Sequence, residues 1–155
     1  MKNIFKTTFV VTFLCLFSCQ LQAQVLFNLS STLPVGSDPN SIAVADINGD
    51  GKADLICANY LGNTLSVLTN NSSGGYVLSG TYGNVGSFPI VATTADVNGD
   101  GKVDLICVGS TLTVLTNNGT GGFVRSGQYT TVGNGPAWVT AADVNGDGKV
   151  DLISA

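Results

Sequence analysis

Apolar residues in this chain come in short bursts. In residues 41–82 four runs stand out, at about Ser41–Ile47, Leu55–Ala58, Thr64–Asn70 and Tyr76–Tyr82, each apolar and β-branched and each bounded by Gly, Asn or Pro. That is strand chemistry. No stretch after residue 24 has helical periodicity. Four strands of ~6 residues with connections of ~5 make a unit of about 50 residues.

The unit recurs. ADINGDGKADLICA from Ala45, ADVNGDGKVDLICV from Ala95 and ADVNGDGKVDLISA from Ala142 align without gaps, with Asp46, Asp96 and Asp143 spaced by 50 and 47 residues. Leu65–Asn71 matches Leu112–Asn118, Gly74–Val77 matches Gly121–Val124, and Val85–Pro89 matches Val132–Pro136. The shorter second period is absorbed where Asn59–Asn63 contracts to Gly109-Ser110. The repeats lie at about residues 39–88, 89–135 and 136–155. A period of this length built from four strands predicts an all-β fold of propeller blades, each a four-stranded antiparallel sheet.

Composition sharpens this picture. The 155 residues include no His, and all ten acidic side chains are Asp. His-based catalysis and Glu-bearing hydrolytic schemes are therefore excluded, and the chain reads as a non-enzyme. A net charge of −4 argues against nucleic acid as a partner. Nine of the ten Asp lie in the three repeated loops, and only Asp38 lies elsewhere.

Counted from Asp46, the first loop places Asp46, Asn48, Asp50, Lys52 and Asp54 at alternate positions, with Gly51 at the sixth. The second offers Asp96, Asn98, Asp100, Lys102 and Asp104, and the third Asp143, Asn145, Asp147, Lys149 and Asp151. Alternation turns side-chain oxygens to one centre and glycine permits the sharp bend. The lysines are expected to offer a backbone carbonyl and leave their ammonium groups in solvent. Two carboxylates ~5 Å apart repel by about 3 kcal/mol at an effective dielectric of 20, so a crowded acidic loop favours a cation. An all-oxygen donor set selects Ca²⁺ over zinc or copper. An EF-hand is excluded, because its twelfth position needs Glu where this chain has Cys57, Cys107 and Ser154.

The loop, the following Leu-x-Val-Leu-Thr-Asn-Asn strand and the Gly-Gly-(Tyr/Phe) turn together resemble the FG-GAP-like or VCBS repeat of integrin α-type β-propellers. The resemblance covers nearly all of residues 26–155. It implies calcium in the loop between the first two strands of a blade, and adhesion or ligand binding outside the cell. The expected partner is an extracellular protein or glycan, with a lectin-like propeller and the non-catalytic part of a longer secreted enzyme as alternatives. Tyr60, Leu61 and Trp138 differ between repeats and are candidate recognition residues. Tyr60 otherwise reads as exposed loop, and Trp138 as packing between blades.

The first 24 residues stand apart. Lys2 and Lys6 precede an apolar run from Thr8 to Phe17, and Leu21-Gln22-Ala23 offers a cleavage point, so residues 1–23 read as a signal peptide and 24–155 as the repeat region. Leu16-Phe17-Ser18-Cys19 resembles a lipoprotein box, which would put Cys19 on a membrane. Either route exports the protein to the cell surface or beyond. Of the four Cys, Cys57 and Cys107 then remain, and they are expected to be buried thiols, with a disulfide as the alternative. About 2.7 repeats fall short of the four to eight blades that close a propeller. The expectation is therefore a partial propeller, completed by further blades of a longer chain or by self-assembly.

Overall fold

The structure is a computed structural model that describes residues 32–130, 133 and 135–155. The expected signal peptide, Cys19 and the first residues of the repeat region up to residue 31 lie outside the described residues, as do Thr131, Val132 and Asn134.

The first repeat forms β1 (Pro39–Ala45), β2 (Asp54–Asn59), β3 (Thr64–Asn70) and β4 (Tyr76–Tyr82), an antiparallel sheet in the order β1-β2-β3-β4. The second repeat forms β5 (Val91–Ala95), β6 (Asp104–Val108), β7 (Leu112–Asn117) and β8 (Phe123–Tyr129), joined in the same order. The third contributes the antiparallel pair β9 (Val139–Ala142) and β10 (Asp151–Ser154). These are the blades that the repeat pattern predicts.

Registers repeat as closely as the sequence does. Ala45 faces Asp54, Ala95 faces Asp104 and Ala142 faces Asp151, so the acidic loop leaves each sheet from the same rung. A register shift falls at Val67/Leu68 in the first blade and at Val114/Leu115 in the second. The extra residue on the outer strand is a serine both times, and its hydroxyl donates to the opposing carbonyl: Ser79 to Val67 at 3.1 Å, Ser126 to Val114 at 3.4 Å. A Cβ at the neighbouring Gly80 or Gly127 would lie 2.8 Å or 2.9 Å from the ring of Tyr82 or Tyr129, and the ring would have to shift to admit it.

The core sits between sheets. Ile56, Ala58, Leu65 and Val67 of the first blade pack against Ala92, Leu105, Cys107 and Leu115 of the second. The second blade's opposite face, with Ile106, Val108, Leu112 and Val114, receives Val139 and Leu152 of the third. The central blade is therefore apolar on both faces, which is why Leu105-Ile106-Cys107-Val108 runs without a polar break. Each such side chain contributes ~1.5–3 kcal/mol on leaving water. The first strands of the blades are neighbours, β1 beside β5 and β5 beside β9. Polar bonds join them, from Ala92 N–H to Ser41 Oγ at 2.9 Å and from Asn40 Nδ2 to Ile90 O at 3.2 Å.

Cys57 and Cys107 are free and buried, so the disulfide alternative does not form. Trp138 differs from the packing expectation. Strand alternation turns Val139 into the core and leaves Trp138 61% exposed, on a groove it shares with Ile42 and Val44. Tyr60 differs from a plain exposed loop, since its ring lies 5.1 Å from that of Phe88.

Candidate metal-binding loops

Each loop between the first and second strand of a blade is folded by its own side chains. Asp46 Oδ1 accepts the N–H groups of Gly49 at 2.8 Å and Asp50 at 3.2 Å, while its Oδ2 accepts that of Gly51 at 2.8 Å. Asn48 Oδ1 accepts Asp50 N–H, and Asp50 Oδ1 accepts Lys52 N–H, both at 2.9 Å. The chain can wrap its carboxylate this way because Gly49 and Gly51 take φ of 77° and 81°, a region costly for other residues. Asp96, Asn98 and Asp100 repeat every bond, and so do Asp143, Asn145 and Asp147.

These bonds set the acidity of the carboxyls. The Gly51 N–H on Asp46, and the Gly148 N–H on Asp143, hold both groups below the ordinary carboxylate value. Asp100 is lowered first by Lys102 N–H and then by the same lysine's ammonium. The ammonium groups of Lys52 and Lys102 lie at the exposed surface, each beside a carboxylate. Lys52 Nζ lies 3.4 Å from Asp50 Oδ2, and Lys102 Nζ lies 3.1 Å from Asp100 Oδ2. Each side chain curls back toward the aspartate two residues earlier in its own loop.

The ninth position behaves differently. Asp54 is fully buried below the turn, where Oδ2 accepts Ile47 N–H at 3.2 Å and Oδ1 accepts Asn70 N–H at 2.8 Å. Asp104 does the same with Val97 N–H and Asn117 N–H. Each of these carboxylates ties the loop to the end of its blade's third strand. The structure thus brings Asp46, Asn48, Asp50 and Lys52 around one turn and sets Asp54 at its base. The same division holds for Asp96, Asn98, Asp100 and Lys102 against Asp104, and for Asp143, Asn145, Asp147 and Lys149 against Asp151. Among the described residues, no three carboxylate or thiol side chains converge on one point as ion ligands.

The donor set nevertheless suits a hard cation. Carboxylate and amide oxygens carry two lone pairs each. In the first loop Asp46 Oδ2, Asn48 Oδ1 and Asp50 Oδ1 each accept one backbone bond, which leaves each a second lone pair on the same exposed turn. All of these donors are oxygen, the chemistry Ca²⁺ takes. Sequence reasoning did not pair Asn70 and Asn117 with the ninth-position carboxylates that their backbone N–H groups meet. The signal was there in the Leu-Thr-Asn-Asn phrase that both repeats share.

No curated protein matches the chain. The profile of the FG-GAP-like repeat matches residues 46–107 and again residues 96–154, each match running from the first Asp of one acidic loop through the second strand of the next blade. On that match, and on the blades it covers, the chain belongs to the FG-GAP-like repeat family.

Proposed function

We propose that this chain is a calcium-stabilised repeat module of an exported protein, in which the ion is structural and recognition of an extracellular protein or glycan uses other surfaces. The observation that carries the reading is the triple recurrence of one turn. Three loops hold the same oxygens in the same hydrogen bonds, with the acidic groups of the chain concentrated in them. A bound Ca²⁺ would be held by the oxygens of Asp46, Asn48 and Asp50 and their counterparts, and it would supply charge neutralisation. The protein's own groups fix the turn and anchor it to the blade. With the aspartates committed to backbone bonds and no His or Glu in the chain, the module is proposed to be non-catalytic. The positive amino terminus and the apolar run after it support export. A surface for a partner is offered by the groove of Ile42, Val44 and Trp138, since exposed aromatic side chains serve as anchors.

Calorimetric titration with calcium chloride tests this. The parent is expected to bind in the micromolar-to-millimolar range, as extracellular modules do, and to lose thermal stability on chelation. The triple variant Asp46→Ala, Asp96→Ala, Asp143→Ala is expected to give no binding heat. Equal heats from parent and variant would refute the reading.

A further inference from the structure

Asn117 reaches out of its own blade. Its backbone N–H donates to Asp104 Oδ1 at 2.8 Å, its side-chain oxygen accepts Gly119 N–H at 2.9 Å, and its amide donates to Val103 O at 3.1 Å. These three contacts are local. The fourth is not: Nδ2 also donates to Ile47 O at 2.8 Å, a buried bond between residues 70 apart in the chain. Ile47 lies between Asp46 and Asn48, so its carbonyl cannot shift without moving both candidate ligands. Its N–H is fixed at the same time by Asp54. Asn117 forms part of a cleft of about 330 Å³ with the first loop, including Asp46 and Asn48, on one side and Lys102 on the other.

A continuous chain of bonds therefore joins two loops on different blades. It runs from Asp54 through Ile47 to Asn117, then through Asp104 to Val97 of the second loop. We infer that Asn117 is an inter-blade latch, a positioning residue that couples the acidic loop of the first blade to that of the second so that ordering one favours ordering the other. The coupling of ion affinities rests on the calcium reading, whereas the coupling of loop order does not. The first blade supplies an internal control. Asn70 occupies the same slot, its oxygen accepts Ser72 N–H in the same way, and among the described residues its amide reaches only Ala53 O, at 3.5 Å.

The test uses Asn117→Ser and Asn70→Ser in the full chain, because serine keeps a turn acceptor but has no amide to span the blades. Amide hydrogen exchange is read at Gly49, Asp50 and Gly51 with EDTA present. Asn117→Ser is expected to speed exchange there about tenfold, and Asn70→Ser to change it less than twofold. Equal effects from the two variants, or none from Asn117→Ser, would overturn the latch. If Asn117→Ser does not fold, Asn117→Gln keeps the amide one methylene out of place and takes the same reading. Calcium titration followed at Gly49 and Gly51 then reads the coupling. Disabling the second loop with Asp96→Ala and Asp100→Ala is expected to weaken the first loop's affinity about fivefold with Asn117 in place, and less than twofold beside Asn117→Ser. Indifference of the first loop in both backgrounds would overturn the coupling of affinities. A parent that takes up no calcium would sink the metal reading alone, and the exchange comparison would still decide the latch.

Discussion

The second and third repeats carry almost the same acidic loop in different surroundings. Both turns are closed by the same carboxylate bonds at nearly the same distances: Gly101 N–H to Asp96 at 2.7 Å, and Gly148 N–H to Asp143 at 2.8 Å. The ninth position separates them. Asp104 is fully buried and accepts two backbone N–H groups, from Val97 at 3.1 Å and Asn117 at 2.8 Å. Asp151 is half-buried, and among the described residues only Val144 N–H reaches it, at 3.1 Å. The turn is thus a local object that nine residues suffice to build. Its attachment to a blade is a tertiary object, made in the first two blades by the backbone N–H of the third strand's last residue.

That contrast can be broken by mutation. Asp104→Ala strands two backbone N–H groups, one of them inside the blade, and hydrogen bonds to a charged acceptor are each worth about 1.5–3 kcal/mol. The expected loss of folding stability is ~3 kcal/mol by urea denaturation. Asp151→Ala removes one bond near solvent and should cost ~1 kcal/mol or less. Equal losses would mean that the buried anchor is not what distinguishes the loops.

The same contrast shows what could be read from the chain beforehand. β3 and β4 coincide with the predicted runs at Thr64–Asn70 and Tyr76–Tyr82, because Gly and Asn punctuation fixes both ends. β1 was expected through Ile47 but stops at Ala45. The Asp46 side chain already competes there for backbone N–H groups, and apolar Ile47 turns into the inter-blade core instead. β2 runs one residue further than expected, to Asn59, where the register Asn59–Thr64 closes the hairpin and the Asn59 amide reaches the hydroxyls of Thr64 and Ser66. Alternating oxygens were legible as a loop, since that pattern is local. The split between turn carboxylates and the buried Asp54 and Asp104 was not, because their partners lie 16 and 13 residues away on the third strand. Asn117 was harder still. Its partner belongs to another blade, and no periodicity within one repeat encodes that contact.

Acid should sharpen the comparison. Asp46 and Asp143 have carboxyls held below the ordinary value, each led by a glycine N–H. A lowered folded-state value means that loop order is fully present above the unfolded carboxylate range. It is lost as pH falls through the folded value, so the window lies below about pH 4. Because the cause is local in both turns, the amide resonances of Gly51 and Gly148 should shift over one common pH range, although Asp54 and Asp151 differ in burial. A clearly earlier transition in the third loop would show that the blade, not the turn, sets the acidity.

A further difference is expected between the two thiols. Cys57 and Cys107 occupy equivalent positions on their blades, and burial raises both pKa values, that of Cys107 to about 12. Only the thiolate attacks a disulfide reagent. A rise from 9.0 to about 12 cuts the thiolate fraction near neutral pH by about a thousandfold. Cys107 is also enclosed by the first blade, where its Sγ donates to Val85 O at 3.4 Å. Dithiobis-nitrobenzoate should therefore modify Cys57 before Cys107 in the native protein, with both far slower than in urea. If Cys107 reacted first, the packing of the first blade against the second would have to open more readily than the surroundings of Cys57.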